Sequence, residues 1–94
     1  MSLTVDIIKS GGNRPSEPFR RIKLYKSLVS VCMSVKVPQG QAEDIADSVC
    51  KNVINWLKDK TEVTSNDIRT VAAKHLKRLH QEAAYLYEQH HIII

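Results

Sequence analysis

The chain has 94 residues, of which 43% are hydrophobic and 26% charged, and its formal net charge is +4 at pH 7. These values are typical of one globular domain and exclude collagen-like and disordered chains. No stretch approaches the roughly 18 to 20 apolar residues that a membrane helix needs, and the N-terminus lacks a basic region followed by an apolar one. We therefore expect a cytoplasmic protein without a membrane contact.

The positive charge is concentrated in the first third of the chain. Up to Ser30 there are six basic and two acidic residues, a balance of +4, whereas eight basic and eight acidic residues follow. A local positive surface suits a compact anion such as a triphosphate, or a short stretch of nucleic-acid backbone. A solvated face without a partner is the alternative. The six basic residues are Lys9, Arg14, Arg20, Arg21, Lys23 and Lys26.

The chain begins with a predicted β-hairpin. Residues 5–8 are β-prone, residues 9–16 are rich in turn formers, and 17–19 provide a short returning strand. Pro18 cannot donate a backbone hydrogen bond, so this returning strand should lie at an edge of the sheet.

Two amphipathic helices are predicted next, separated by a break at residues 37–40. The first begins at Arg20, and the second carries an almost unbroken apolar stripe from Ala42 to Leu57. The inward residues of the first helix are Leu24, Leu28, Val31, Cys32 and Val35, and those of the second are Ala42, Ile45, Ala46, Val49, Cys50, Val53, Ile54 and Leu57.

Two further helices complete the predicted bundle. The third begins near Thr64, whose hydroxyl can cap it while Asp67 meets the positive end of the helix dipole. The fourth begins at about Gln81 and packs through its alanines and through Tyr85 and Tyr87. No linker or repeat interrupts the pattern, so we expect a single domain over residues 1–94. The inward residues of the third helix are Ile68, Val71, Ala72, His75, Leu76 and Leu79.

Catalytic and metal sites find little support in the sequence. Cys32 and Cys50 are too few and too far apart for a disulfide framework or a metal clip, and their apolar surroundings favour buried thiols. The histidines lack the spacing of a metal site. No nucleophile, base and orienting residue occur together, so an enzyme is not expected.

Residues 9–12, with the sequence Lys-Ser-Gly-Gly, are a candidate phosphate contact. Glycines allow a ligand to approach the backbone closely, and a lysine supplies charge. Considered alone this pattern is weak, because most glycine pairs in hairpins serve only as turns.

Four segments in this order resemble the ATP-cone family over nearly the whole chain. Residues 7–12 are similar to its opening Val-x-Lys-Arg-x-Gly, and Glu-Pro-Phe at 17–19, followed by Lys-Leu at 23–24, is similar to its Glu-Pro-Phe-x-x-x-Lys-Ile/Leu. Residues 63–68 resemble the start of the family's third helix, and 83–87 resemble its closing Val-Ala-Tyr run.

The resemblance implies a mainly α fold with a small β part, in which an N-terminal β-hairpin or three-stranded sheet covers a four-helix bundle. Members of the family regulate ribonucleotide reductase large subunits and occur in a zinc-ribbon repressor of reductase genes. The implied function is non-catalytic binding of ATP or dATP with magnesium. The implied partners are a second copy or a protein such as a ribonucleotide reductase component, and nucleic acid is disfavoured.

The resemblance also assigns roles within the site. Lys9 and Lys23 would hold phosphates, the backbone from Ile7 to Gly12 would line the adenine, and Glu17 would meet the ribose or base. Ser10 stands where the family usually has arginine, and Arg14 or Arg20 is the candidate substitute. The implied nucleotide-binding residues are Ile7, Lys9, Ser10, Gly11, Gly12, Glu17, Arg20, Lys23, Ser65 and Arg69.

Two other functions remain open at this point. The basic first third permits direct binding of nucleic acid, although it contains only two aromatic residues, Phe19 and Tyr25, for base stacking. Alternatively, loss of the arginine at position 10 leaves a degenerate nucleotide site in a purely structural helical interaction domain.

Overall fold

The computed structural model describes residues 6–8 and 17–89. The predicted mainly α class with four helices is confirmed for these residues. None of the described helices is both long and apolar enough to cross a membrane. The elements in chain order are β1 (Asp6–Ile8), β2 (Glu17–Pro18), α1 (Arg21–Ser34), α2 (Gln39–Leu57), β3 (Glu62–Thr64), α3 (Ser65–Leu79) and α4 (Gln81–Gln89).

The three short strands form one sheet with the order β2-β1-β3. β1 pairs antiparallel with β2 and parallel with β3, so it lies at the centre. Pro18 is on an outer strand, as a residue without a backbone donor requires. Residues 9–16, which were expected to form the tip of a hairpin, lie outside the described residues.

The turn between α1 and α2 explains where both helices end and begin. Lys36 has φ 67°, the backbone N–H of Val37 donates to the carbonyl oxygen of Cys32, and the N–H of Lys36 donates to that of Met33. These bonds form a Schellman motif, with Val37 buried behind it. The predicted break at 37–40 was therefore placed too late, and α2 begins at Gln39 immediately after Pro38.

The stripe of α2 is the centre of the core. Its residues pack between α1 and α3, and α4 closes the bundle against α3 and α1. Seven α2 residues are buried, which confirms the predicted stripe except for Ile54, which is only partly buried. The buried residues of α2 are Ala42, Ile45, Ala46, Val49, Cys50, Val53 and Leu57.

His80 separates α3 from α4. Its backbone is extended, at φ −160° and ψ 103°, and its Nδ1 accepts a hydrogen bond of 3.1 Å from the backbone N–H of Ala83. The imidazole therefore caps α4. The prediction that Leu79 points inward was wrong, because it is the last residue of α3 and its side chain is 48% exposed.

Candidate functional site

The central strand brings the first and third parts of the chain together. Ile8 at the end of β1 is paired with Thr64 at the end of β3, and α3 begins at the next residue. A parallel pair points both carboxyl ends in the same direction. The end of β1 therefore lies beside the N-terminus of α3.

That N-terminus carries a complete capping box. The Thr64 hydroxyl accepts from the backbone N–H of Asp67 at 3.0 Å, and the Asp67 carboxylate accepts from the N–H of Thr64 at 3.1 Å. This confirms the predicted helix start. Helix geometry gives the N–H groups of Ser65 and Asn66 no partner within α3, and the dipole makes this end positive. The end of α3 beside β1 is therefore suited to an anion.

A buried hydroxyl lies at this point. The Ser65 Oγ is shielded from solvent and has no hydrogen-bond partner among the described residues. An unsatisfied buried hydroxyl costs about 1–3 kcal/mol. Arg69 follows one helical turn later on the same face, half-buried, with its Nε also inaccessible to solvent. The predicted residues Ser65 and Arg69 thus lie together at the sheet edge.

The start of α1 lies on the other side of the central strand. β2 runs antiparallel to β1 and pairs Pro18 with Asp6, so α1 begins toward the opposite end of β1 from α3. The side chain of Phe19 is buried and fixes this entry to the bundle. Arg20 is the N-cap residue, and the backbone N–H of Lys23 donates to its carbonyl oxygen at 3.2 Å. Both basic side chains are exposed.

The remaining predicted residues are described only in part. Ile7 and Glu17 are directly paired across β1 and β2. Lys9, Ser10, Gly11 and Gly12 lie outside the described residues. Because β1 is only three residues long and a strand rises about 3.3 Å per residue, the starts of α1 and α3 flank a very short segment of sheet.

A buried polar contact joins α1 and α4 inside the bundle, and sequence reasoning missed it. The hydroxyl groups of Ser27 on α1 and Tyr87 on α4 are 3.1 Å apart, and the Ser27 Oγ also donates to the carbonyl oxygen of Leu24 at 2.8 Å. Burial raises the pKa of Tyr87 to about 12, while Ser27 and the charge of Arg69 oppose this increase. The predicted packing role of Tyr87 is confirmed, and the rule that buried tyrosine hydroxyls need partners could have identified the contact.

The other expected packing tyrosine lies elsewhere. Tyr85 is 65% exposed, so its predicted packing role was wrong. Only one face of α4 is buried, and it contains Ala83, Ala84 and Tyr87. Tyr85 lies two residues before Tyr87, so its side chain is on the opposite, exposed face of the helix.

Both cysteines are buried free thiols, as predicted. Burial raises the pKa of Cys32, and it raises the pKa of Cys50 to about 11. Both side chains are therefore protonated at neutral pH and poorly nucleophilic. No cluster of three or more histidine, cysteine, aspartate or glutamate residues that could hold a metal ion occurs within residues 6–8 and 17–89.

The described residues offer hydrogen-bond donors and positive charge, which suit an anionic ligand. The N-terminus of α3 offers backbone donors, Ser65 offers a hydroxyl at the same place, and Arg69 supplies positive charge one turn later. Arg20 and Lys23 lie at the start of α1, toward the other end of β1. This chemistry is suited to binding.

Comparison with known proteins supports the same conclusion. The family model described as ATP cone domain matches residues 5–90. A transcriptional repressor NrdR of Clostridium kluyveri is 34% identical over 74 residues, which cover 79% of this chain and 47% of that protein. A transcriptional repressor NrdR of Thermoanaerobacter sp. is 31% identical over 84 residues, or 89% of this chain and 50% of that protein.

The chain spans about half the length of these curated relatives. No solved structure gives a significant match. The family match nevertheless extends over almost the whole chain and includes every element described above, from β1 to α4. The chain therefore belongs to the ATP-cone family, whose members are nucleotide-binding regulatory modules.

Proposed function

We propose that this chain binds ATP or dATP across the short sheet, between the starts of α1 and α3, and that occupancy of the site regulates a protein contact. The observation that carries this proposal is the buried Ser65 hydroxyl, which lacks a partner among the described residues and lies at the positive end of α3. A phosphate oxygen would accept its hydrogen bond and those of the neighbouring backbone N–H groups. The membership of the ATP-cone family supports an adenine nucleotide as the source of that phosphate.

Each candidate residue has a role in this proposal. Lys23 and Lys9 hold phosphates, and Lys9 directly follows Ile8, the residue paired with the N-cap of α3. Arg69 and Ser65 bind from the α3 side, and the backbone of residues 7–12 lines the adenine. Glu17 accepts from the ribose or base, and Arg20 supplies the guanidinium that Ser10 does not. The full proposed set is Ile7, Lys9, Ser10, Gly11, Gly12, Glu17, Arg20, Lys23, Ser65 and Arg69.

Magnesium, when present, would be bound by the nucleotide, since it prefers phosphate and water oxygens in such sites. The protein's own contribution is to place donors and cations around the triphosphate. A bound magnesium ion lowers the charge of the triphosphate, so the site needs few basic residues.

Arg69 provides a route from the proposed site to the bundle. Its charge acts on the buried Tyr87 hydroxyl, which contacts Ser27 on α1. A nucleotide phosphate that attracts Arg69 would change the electrostatic environment of this α1–α4 contact. Regulation also requires that the nucleotide bind two conformations with different affinity. We propose that the packing of α4 on α1 and α3 is the element that differs.

Isothermal titration calorimetry with ATP and dATP tests the binding half of the proposal. Lys23→Ala should weaken ATP binding at least about tenfold, because a charge-assisted contact contributes about 1.5–3 kcal/mol. Lys26→Ala is the matched control, since Lys26 is an exposed lysine one turn further along α1. Equal affinity for the wild-type and Lys23→Ala proteins would remove Lys23 from the site, and no heat with either nucleotide would refute the proposal.

Nucleic-acid binding is a second candidate, because the curated relatives are named transcriptional repressors. The described structure offers a suitable surface on α3, where three exposed basic side chains follow one another toward the C-terminus. Phosphate contacts by these side chains would be independent of base sequence. The three residues are Lys74, Lys77 and Arg78.

Fluorescence anisotropy with a labelled DNA duplex at two salt concentrations separates this candidate from the first. Backbone contacts predict a steep fall in affinity as salt increases, and Lys77→Ala should lower the slope by about one unit. Binding of ATP without any binding of duplex, even at low salt, would exclude this second candidate for the chain.

A further inference from the structure

One side of α1, next to its buried face, carries a row of apolar side chains. Ile22 is 53% exposed and Met33 is 48% exposed. Val29 lies between them, seven residues after Ile22 and four before Met33, and is only partly buried. This spacing places the three side chains on one face of the helix. The inward face of α1 is separately occupied, because Leu24, Leu28, Val31 and Cys32 are buried in the core.

An open groove of about 550 Å³ runs along this face. Its apolar part is formed by Val29 and Met33 with the ring of Tyr25, and its polar part is formed by two serines and a lysine. A groove of this kind receives a ridge of side chains from another helix. The residues lining it are Tyr25, Lys26, Val29, Ser30, Met33 and Ser34.

The charge around the groove is positive. α1 contains Arg21, Lys23 and Lys26 and no acidic residue, and Lys36 follows its end. Burial raises the pKa of Tyr25, and Glu43 and Asp47 on the α2 side add to this effect. Asp47 is also paired with Arg21 and with Lys51, the latter at 3.3 Å. The positive charge in the groove itself is that of Lys26. An occupant with carboxylates beside its apolar residues would therefore match the groove in charge.

We infer that this groove on α1 docks an acidic amphipathic helix of a partner protein. Such a helix would place apolar residues at i, i+4 and i+7 against Val29 and Met33 and flank them with aspartate or glutamate opposite Lys26. Bound in this way, it would cover both the exposed apolar row and the positive rim.

The described surface does not favour a second copy as the occupant. The other large exposed apolar side chains within the described residues are Leu79 on α3 and Tyr85 on α4, one on each helix, so neither helix offers a row to fill the groove. Pairing of α1 with α1 of another copy would bring like charges together. A lipid surface is also a poorer fit, because a membrane-surface helix has a broad continuous apolar face, whereas Lys26, Ser30 and Ser34 form half of the lining here.

This inference names the partner contact within the proposed regulatory function, since α1 also carries Lys23 of the proposed nucleotide site. Docking itself needs no nucleotide. The experiment is therefore carried out without ATP, so that its failure is distinguishable from failure of nucleotide binding.

Fluorescence anisotropy of the full chain with a labelled synthetic helical peptide tests the inference. The peptide consists of leucine, alanine and glutamate, with leucines at i, i+4 and i+7. We expect saturable binding, and Met33→Glu should weaken it at least about tenfold by placing a charge in the apolar row. Leu79→Glu is the matched control, because Leu79 has the same exposed fraction of 48% but lies on α3. It should leave the affinity unchanged.

Two charge-reversal variants, each measured with an acidic and a basic peptide, distinguish a loss of binding from a loss of folding. A misfolded variant would lose binding of both peptides. Lys26→Glu should weaken binding of the acidic peptide and strengthen binding of a peptide with lysine in place of glutamate, whereas Lys77→Glu on α3 should change neither. Equal binding of the acidic and basic peptides by the wild-type chain would overturn the inference. So would equal losses in Met33→Glu and Leu79→Glu.

Two further outcomes would reassign the groove and overturn the inference. The first is binding to phosphatidylcholine and phosphatidylglycerol vesicles that Met33→Glu abolishes, without binding of the peptide. The second is a concentration-dependent dimer in analytical ultracentrifugation that Met33→Glu dissociates.

Discussion

The interior of the bundle and the junction of β1, β3 and α3 differ in whether a buried hydroxyl has a hydrogen-bond partner. In the bundle, the hydroxyl groups of Ser27 and Tyr87 lie 3.1 Å apart and satisfy each other. At the junction, the Ser65 hydroxyl is equally inaccessible but has no partner among the described residues. Because an unsatisfied buried hydroxyl is costly, this difference supports the proposal that the junction binds a ligand, whereas the Ser27–Tyr87 contact stabilises the bundle.

The largest expected effect lies in the bundle. Leu28→Ala removes a fully buried side chain between α1 and α2, and it should lower the free energy of unfolding by about 2–5 kcal/mol through lost burial and the cavity that remains. Urea denaturation measures this change. Leu79→Ala, at a 48% exposed position, is the control and should cost much less. Similar losses for both variants would show that burial does not distinguish the two sites.

Ser65→Ala sharpens the comparison, because it removes the buried hydroxyl from the junction. Without nucleotide the melting temperature should stay the same or rise, since an unsatisfied polar group disappears. Affinity for ATP should nevertheless fall, by up to about tenfold, through loss of one hydrogen bond to phosphate. Calorimetry and thermal melting measure the two quantities. Ser30→Ala, at an exposed position on α1, should change neither. A clear loss of stability without nucleotide would instead indicate a structural role for Ser65.

Thr64→Ala tests how the junction is held in place. Loss of the capping bond to the N–H of Asp67 should lower the free energy of unfolding by about 1 kcal/mol. Thermal denaturation by circular dichroism is the measurement. Thr61→Ala removes a threonine from an exposed bend and serves as the control. An unchanged melting temperature in Thr64→Ala would show that the capping box is dispensable.

The smallest expected effect is a gain in stability from Lys36→Gly. Lys36 has φ 67°, a left-handed conformation that glycine adopts without steric cost. The free energy of unfolding should increase by about 0.5–1 kcal/mol. Lys58→Gly should instead destabilise, because Lys58 has helical backbone angles of −56° and −32° at the end of α2. Urea denaturation of both variants measures the change. A lower free energy of unfolding in Lys36→Gly than in the wild-type chain would contradict the prediction.

Local patterns were sufficient for most of the helical structure. The i, i+3, i+4, i+7 stripe predicted α2 and its buried face, and the Thr64 and Asp67 pair predicted the start of α3. These features depend on helical periodicity and on contacts within one turn, so residue order alone encodes them. The prediction of inward side chains was wrong at Leu79 and Tyr85. Leu79 is exposed because α3 ends there, and Tyr85 is exposed because it lies outside the buried face of α4.

The sequence by itself determined the helical class, the apolar stripes, the capping residues and, through its motifs, the family. Tertiary structure decided which distant residues meet, because strand pairing and helix packing join segments that have no local interaction. Only the pairing of Ile8 with Thr64 placed the end of β1 beside the buried Ser65 hydroxyl. Only the packing of α4 on α1 brought Tyr87 to Ser27. Burial makes the partners of these hydroxyl groups important for stability, since a hydroxyl removed from water costs free energy unless it is hydrogen-bonded.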